Sequence, residues 1–311
     1  MEHYYTLFDS LFLPQGLTLF HSLEKFAGPF KLWVVCVDDK AFEVLKKMNL
    51  PHLEPIHVME VENERLLKVK AKRSAGEYCW SLTPFIPDYI FSINDDIARL
   101  TYLDADMWLL KDPRPIFLEY EDSGKAILIT EHAYAPQYDY SNIYGRFCVQ
   151  LLIFKKGESS DVLKWWGDQC IDSCSSEPSE DSFGDQKYLD QWPILFANKV
   201  HILTKPQYMQ APWNSIYYPH SQAIFYHFHG LRILNRKQCS RNAFYSIPEV
   251  VMRFLYDPYL ASLKCSMERL ESIGIKQRPQ KKIDNLYGIK SKLVAKIPFL
   301  RNQYISPFIQ W

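Results

Sequence analysis

Two carboxylates stand one residue apart at the end of an apolar run. The run is LTYLDADMWLL, residues 100–110, and the acids are Asp104 and Asp106. In an extended segment residues i and i+2 point the same way, so we expect the two side chains to share a face. Two such charges about 4 Å apart repel by about 4 kcal/mol at an effective dielectric near 20. A divalent cation reverses that sign, and holding a metal against a diphosphate is the chemistry that most often uses this arrangement.

A structural alternative makes one Asp a helix cap and leaves the other in solvent, and it is favoured for a bare Asp-x-Asp. The apolar lead-in argues against it here, because an ionised carboxylate in an apolar strand costs several kcal/mol unless it has a partner. Asp95 and Asp96 provide a contrast. They lie in the polar stretch SINDDIA, and we expect them to be cap or turn residues.

The elements that must position these acids alternate between strand and helix. The first half of the chain predicts strands at 4–8, 31–37, 55–59 and 100–103, and helices at 14–26, 40–48, 62–72 and 81–91. The second half predicts strands at 126–130, 149–154, 200–203 and 223–229, helices at 161–171 and 249–273, and an acidic, Ser-rich loop at 173–185. This alternation predicts an α/β, Rossmann-like fold with a mostly parallel central sheet flanked by helices. In such sheets ligands bind beyond the carboxyl ends of the strands.

Bulk properties narrow the classes of protein to consider. The 311 residues suit one large domain or one domain with an appendage. Lys+Arg and Asp+Glu both count 36, which gives no sign of general nucleic-acid binding. The Cys residues form no Cys-x-x-Cys, and the first residues, MEHYYTLFDS, do not resemble a signal peptide. From the cysteines we expect reduced thiols in a cytoplasmic protein, and since no apolar run reaches about 18 residues we expect no membrane span.

The chain changes character near its C-terminus. We expect residues 1–275 to form the main domain and residues 276–311 to form a helical, basic and amphipathic tail. The cations of the tail oppose a single acid, Asp284, and are interleaved with aliphatic and aromatic residues. This pattern suits peripheral contact with an anionic membrane surface, and a solvated tail is the alternative.

Four motifs resemble, in order, those of the GT-A nucleotide-sugar glycosyltransferases. They are LFDSLFLPQGLTLFHSL at 7–23, YLDADMW at 102–108, GDQKYLDQW at 184–192 and YHFHG at 226–230. The chain looks most similar to glycosyltransferase family 8 and its bacterial relatives in surface-polysaccharide synthesis, over about residues 4–232. The resemblance implies a GT-A fold and a hexosyltransferase-type activity that retains the anomeric configuration.

The resemblance also implies a metal site of three side chains. Asp104 and Asp106 would be two ligands, with Asp104 also next to the donor, and His227 in a His-aromatic-x-Gly pattern would be the third. Imidazole suits Mn²⁺ better than Mg²⁺, so we expect Mn²⁺, with Mg²⁺ as the alternative. His229, on the same face of the predicted strand, would support the ligands or contact phosphate. Arg232 lies near the position of a Lys in the family and would bind the diphosphate in its place.

Further donor contacts are implied at the first and third motifs. Asp9 would accept the imide N–H of uracil, with Phe8 nearby, which favours a UDP-sugar over other carriers. Asp185 would contact sugar hydroxyls and Gln186 would face the anomeric carbon. Helix capping is the structural alternative for Asp9 and for Asp185.

Weaker signals and departures from the family pattern leave some roles open. Trp213 and Asn214 could stack on a ring and bond a hydroxyl of the donor, although a core Trp is an equal alternative. Cys148 and Gln150 stand where the family has the Asn and Gly of an Asn-x-Gly, and Lys187 and Asp190 depart from the third motif.

These features predict a metal-dependent glycosyltransferase of polysaccharide biosynthesis that moves a sugar from a UDP-sugar to a glycan or lipid-linked acceptor. A non-catalytic sugar-nucleotide-binding protein on the same fold is the main alternative, which the departures keep open. A phosphatase that uses Asp-x-Asp would need Thr or Val where Trp108 stands. A two-metal nucleotidyltransferase would need a third carboxylate that the sequence does not place.

Overall fold

The computed structural model describes residues 1–280 and the backbone of Phe308–Gln310. The described strands are β1 (Glu2–Phe8), β2 (Phe30–Cys36), β3 (Leu53–His57), β4 (Arg99–Leu103), β5 (Met107–Leu109), β6 (Ile127–Glu131), β7 (Phe147–Lys155), β8 (Val200–Ile202), β9 (Met209–Gln210), β10 (Phe225–His227), β11 (Arg232–Asn235), β12 (Gln238–Ser240) and β13 (Phe308–Gln310). The main sheet has the order β3-β2-β1-β4-β7-β6-β8, and in it β7 alone is antiparallel to its neighbours. Two smaller sheets have the orders β5-β10-β9 and β11-β12-β13.

Helices cover both faces of the main sheet. The described α-helices are α1 (Leu13–Phe26), α2 (Asp39–Met48), α3 (Val58–Val61), α4 (Glu64–Lys70), α5 (Ala75–Leu82), α6 (Ile86–Ile93), α7 (Arg114–Ser123), α8 (Ser141–Tyr144), α9 (Ser160–Asp172), α10 (Trp192–Leu195), α11 (Glu249–Val251) and α12 (Asp257–Ser272). Because side chains alternate along a strand, Tyr4 and Phe8 of β1 enter the core that contains α1, α2 and α7. Tyr5 and Leu7 enter the core on the other face, which contains α5, α6 and α9.

A short antiparallel pair joins the end of β4 to the C-terminal part of the chain. Met107 in β5 pairs with His227 in β10, and the backbone N–H of Phe228 donates to the carbonyl of Asp106 at 2.9 Å. The register of this pair therefore places His227 beside the turn that follows β4.

The C-terminal helical segment supports that pair from outside. A π-helical turn, Met252–Tyr256, joins α11 to α12. The ring of Tyr259 in α12 stacks on Phe228 with centroids 3.6 Å apart and meets Trp108 edge-on at 5.7 Å. Met107 is fully buried, so Met107 and Trp108 are packing residues beneath the turn.

The predicted α/β fold with a mostly parallel sheet is confirmed, and several of the predicted elements need correction, including the helix at 249–273, which the π-helical turn interrupts. The strand predicted at 55–59 ends at His57, whose side chain caps α3. The helix predicted at 81–91 is two helices, α5 and α6, joined by a 3-10 turn at Thr83–Phe85. The strand predicted at 223–229 stops at His227, because Gly230 takes a positive φ of 79° and the chain turns there.

The basic tail is only partly described. Residues 276–280 follow α12 without helical structure, and residues 281–307 lie outside the described residues. The backbone of β13 pairs with β12. In the part of the chain that the structure covers, no helix combines the length and the apolar character needed to cross a membrane.

Candidate active site

Asp104 and Asp106 lie in a tight turn between β4 and β5. The backbone N–H of Met107 donates to the carbonyl of Asp104 at 3.0 Å, so the backbone is not extended here as the sequence analysis assumed. The two carboxylates nevertheless converge, because the turn lies at the carboxyl end of β4. The backbone N–H of Asp104 donates to the carbonyl of Gln150 in β7 at 3.2 Å, which fixes the turn to the neighbouring strand.

His227 completes a three-residue cluster with the two acids. Its Nε2 lies 3.0 Å from Oδ1 of Asp106 and 3.6 Å from Oδ2 of Asp104. The side chain of His227 is 5% exposed and that of Asp106 is 13% exposed, so this contact is largely shielded from water. Among the described residues, these three form the one group of His, Cys, Asp or Glu whose ligand atoms all lie within 4.8 Å of one another.

The charges of the cluster favour a cation at its centre. Burial raises the pKa of Asp104. Burial alone would also raise the pKa of Asp106, but His227 beside it outweighs burial and lowers that pKa. In turn, Asp106 outweighs the burial that would lower the pKa of His227 and raises it well above its ordinary value. Two carboxylates and an imidazole are a ligand set that suits Mn²⁺, so the residues fit the implied metal.

Tyr102 and Gln150 each contact one of the candidate ligands. The hydroxyl of Tyr102 donates to Oδ1 of Asp104 at 2.7 Å. Nδ1 of His227 lies 3.1 Å from Oε1 of Gln150, which is fully buried. The sequence analysis gave neither residue a role, since Tyr102 looked like a strand residue and Gln150 like a departure from a pattern.

Arg232 is an electrostatic neighbour of the cluster. It is half-buried at the start of β11, and its guanidinium lies 5.2 Å from the ring centroid of Phe12. Burial lowers the pKa of Arg232, while the charge of Asp106 acts in the opposite direction, so the two groups are electrostatic neighbours. An anion bound to the cluster would therefore have a cation close by.

The turn after β1 carries Asp9. Its Oδ1 accepts from the backbone N–H of Leu11 at 3.0 Å, and burial raises its pKa. Phe8 is buried in the core, where a Cβ at Gly16 would come within 2.3 Å of its ring. The turn is thus held by Asp9 itself.

A segment near the C-terminus crosses the same turn, which the sequence did not indicate. The side-chain amides of Gln277 and Gln280 both donate to the carbonyl of Leu11, at 3.0 and 2.7 Å. Arg278 reaches the hydroxyl of Ser10 at 3.3 Å. No motif marks these residues, because the contact depends on how residues 276–280 return across the sheet edge.

Asp185 and Gln186 follow Gly184, whose φ is positive at 54°. Asp185 is buried, and burial raises its pKa well above the ordinary value, with electrostatic interactions with Cys174 and Asp104 acting in the same direction. The side chain of Gln186 donates to the carbonyl of Tyr144 at 2.9 Å. The residues that follow Gln186 form a 3-10 helix, Lys187–Gln191.

The two departures in this motif serve the surrounding loops. Lys187 is buried and donates to the carbonyls of Ser179 at 2.8 Å and Asn142 at 3.3 Å. Oδ1 of Asp190 accepts from the backbone N–H of Arg146 at 2.8 Å. These residues fix the loops on either side of Asp185 and Gln186.

The residues before the His motif lie beneath the cluster. The ring of Trp213 is buried, and its centroid is 5.5 Å from those of both His227 and His229. Asn214 is fully buried, and its amide makes hydrogen bonds to the backbone of Ala211, Met209 and His132. A donor contact would require Asn214 to give up one of these bonds, whereas His229 is exposed in the turn after β10.

Comparison with known proteins gives relatives without an assigned activity. No family model matches the chain. The uncharacterized protein YfnD of Bacillus subtilis (strain 168) is 28% identical over 286 residues, which cover 87% of this chain and 91% of YfnD. The uncharacterized protein YfnF of the same strain is 29% identical over 291 residues, which cover 87% of this chain and 94% of YfnF.

Solved structures identify the architecture. The galactosyltransferase LgtC, in complex with donor and acceptor sugar analogues, matches with a TM-score of 0.55 at 10% identity, over 85% of this chain and 95% of LgtC. The chain has the GT-A fold. Mouse xyloside xylosyltransferase 1, in its apo form, matches with a TM-score of 0.50 at 14% identity, over 73% of this chain and 97% of that enzyme. At these identities the likeness shows the GT-A fold alone, and membership of family 8 stays a prediction.

Proposed function

We propose that this protein is a glycosyltransferase that moves a sugar from a nucleotide-sugar to a hydroxyl of a glycan acceptor. The observation that carries the proposal is the Asp104, Asp106 and His227 cluster at the carboxyl end of β4 in a GT-A fold. Both structural neighbours are glycosyltransferases, and one of them was solved with donor and acceptor sugar analogues. A hexose carried by UDP is the donor that we propose.

The chemistry follows from the charge that develops on the leaving diphosphate. Asp104, Asp106 and His227 would hold a divalent cation, proposed to be Mn²⁺, which stabilises that charge when bound. Arg232 would bind the diphosphate from the other side, because a guanidinium can donate two parallel hydrogen bonds to phosphate oxygens. His229, exposed beside these groups, would make a further phosphate contact.

The remaining donor contacts are assigned by position. Asp9 would accept the imide N–H of uracil through the oxygen that Leu11 does not use. Asp185 and Gln186 would lie against the sugar, with Gln186 facing the anomeric carbon. Since the sequence offers no evident second carboxylate as a nucleophile, we propose front-face attack by the acceptor hydroxyl, with its proton passing to the departing phosphate and with retention of configuration.

The alternative function is binding of a sugar-nucleotide without transfer. It is favoured by the departures at Cys148, Gln150 and Lys187, which replace residues expected to contact the sugar. Thermal unfolding with UDP and Mn²⁺, compared with GDP and Mn²⁺, tests donor binding in both cases. A ligand at 100 times its dissociation constant adds about 2.7 kcal/mol of stability.

We expect a Mn²⁺-dependent rise in the midpoint of unfolding with UDP and a smaller one with GDP. Release of UDP from a panel of UDP-sugars then separates transfer from binding. Absence of any Mn²⁺-dependent shift with UDP would refute the UDP-sugar proposal. A shift with UDP but no hydrolysis or transfer of any donor would favour the binding protein.

We also propose that the acceptor is lipid-linked and that the protein works peripherally at the inner face of the membrane. The support is the basic and aliphatic composition of residues 281–307. Each cation near an anionic surface adds about 1 kcal/mol at best. Removing residues 281–311 should abolish sedimentation with anionic liposomes and leave donor hydrolysis intact, and unchanged sedimentation would reject this role.

A further inference from the structure

Gln150 contacts two of the candidate metal ligands at once. Its side-chain Oε1 lies 3.1 Å from Nδ1 of His227, and its backbone carbonyl accepts from the N–H of Asp104 at 3.2 Å. Gln150 lies in β7, the antiparallel strand next to β4, and it is fully buried. One residue thus ties the imidazole and the Asp104 turn to the same point of the sheet.

The contact with His227 decides which ring nitrogen faces the carboxylates. An amide oxygen only accepts, so Nδ1 of the imidazole must carry the proton that it donates to Gln150. The other nitrogen, Nε2, then faces Asp106 and Asp104 at 3.0 and 3.6 Å. A cation at the cluster would take the place of the proton that Nε2 shares with Asp106 and would bind the Nε2 lone pair, as in metal-binding histidines whose opposite nitrogen is fixed by a carbonyl or carboxylate.

Packing alone does not account for a glutamine here. Its Nε2 is buried and makes no hydrogen bond within the described residues, and a buried unpaired N–H destabilises the fold. An aliphatic residue would fill the strand position without that cost. The useful group at this position is therefore the oxygen that His227 contacts.

We propose that Gln150 is a positioning residue that fixes the tautomer and the orientation of His227 for binding a divalent cation. The proposal rests on the metal-dependent function proposed above. Gln150 departs from the family pattern, and the proposal gives it a role at the metal site in place of a sugar contact.

The test is a titration of the protein with Mn²⁺ in the absence of donor. Binding is measured as the loss of the EPR signal of the free ion. Gln150→Leu keeps the volume and removes the acceptor, and we expect it to weaken Mn²⁺ binding by about 10- to 100-fold. Gln150→Glu restores an acceptor for the same N–H, and we expect it to bind Mn²⁺ within about threefold of wild type or more tightly. Gln210→Leu is the matched control, since Gln210 is also fully buried but donates only to the carbonyls of Gln207 and Pro219.

The outcomes separate this inference from the proposed function. Equal Mn²⁺ affinity of wild type and Gln150→Leu would overturn the positioning role while leaving the metal site in place. Equal weakening in both Gln150 variants would also overturn it, because the acceptor would then not matter. No binding of Mn²⁺ by wild type would refute the metal site itself, and metal-free unfolding midpoints of all variants identify any loss that comes from misfolding.

Discussion

Two pairs of aspartates lie within a dozen residues of each other, and they differ in their exposure to solvent and in the groups beside them. Asp95 and Asp96 are exposed in a turn, and the side chain of Asp95 is fully exposed, with Lys156 3.0 Å away. Asp104 and Asp106 are 29% and 13% exposed and share His227. The difference teaches that surroundings decide whether neighbouring carboxylates form a candidate metal site, because only the second pair lies beside an imidazole fixed on another strand.

The largest expected effect comes from neutralising one acid of the buried pair. Asp106→Asn keeps the shape and removes the carboxylate nearest to Nε2 of His227. We expect donor hydrolysis or transfer to fall at least about 100-fold, since charge stabilisation of the leaving group depends on the bound cation. Mn²⁺ binding by EPR should weaken in parallel, and an Asp106→Asn protein with wild-type Mn²⁺ affinity would place the metal elsewhere.

A smaller effect is expected when the partner of Asp104 is removed. Tyr102→Phe deletes the hydroxyl that donates to Oδ1 of Asp104 at 2.7 Å and leaves the ring in place. We expect Mn²⁺ affinity to fall by about tenfold or less, in line with the loss of a single hydrogen bond. If this variant matched Asp106→Asn in its loss, the hydroxyl would have to contact the metal or the donor directly.

Asp185 provides a test of how burial changes the contribution of a carboxyl group to stability. Burial raises its pKa, so the folded state keeps a proton that the unfolded state loses above about pH 4. Stability from this group is therefore present at low pH and lost as the pH rises, by up to about 1.4 kcal/mol per pH unit. We expect Asp185→Asn to unfold at a higher temperature than wild type at pH 7, with the gap closing toward pH 4.

Glu77 supplies a control of opposite sign for that experiment. A hydrogen bond from the backbone N–H of Ser176 lowers the pKa of Glu77 to about 2. Its contribution is present above the unfolded value near 4.5 and lost as the pH falls toward 2. Glu77→Gln should therefore lower the unfolding temperature at pH 7. A parallel rise in both variants would show that charge removal alone, and not burial, explains Asp185.

The sequence predicted the fold and the three residues of the cluster better than it predicted the contacts that hold them together. Asp104, Asp106 and His227 were found because their residue types match a known order of motifs. Their geometry could not be predicted, since it depends on the pairing of Met107 with His227, a contact between strands far apart in the chain. The contacts of Gln150 with His227 and Asp104 could not be predicted for the same reason, because they form only where β7 lies beside β4.

The smallest effect is expected when Asp95 and Asp96 are changed. It is the most direct check of the comparison between the exposed and the buried pair. The bridge between Asp95 and Lys156 is a surface ion pair, worth about 0 to 1 kcal/mol. The double variant Asp95→Asn, Asp96→Asn should therefore lose less than about 1 kcal/mol of stability and bind Mn²⁺ like wild type. A weakened affinity would mean that total negative charge attracts the cation. In that case the loss should disappear near 1 M salt, where charges are screened beyond about 3 Å, whereas the effect of Asp106→Asn should persist.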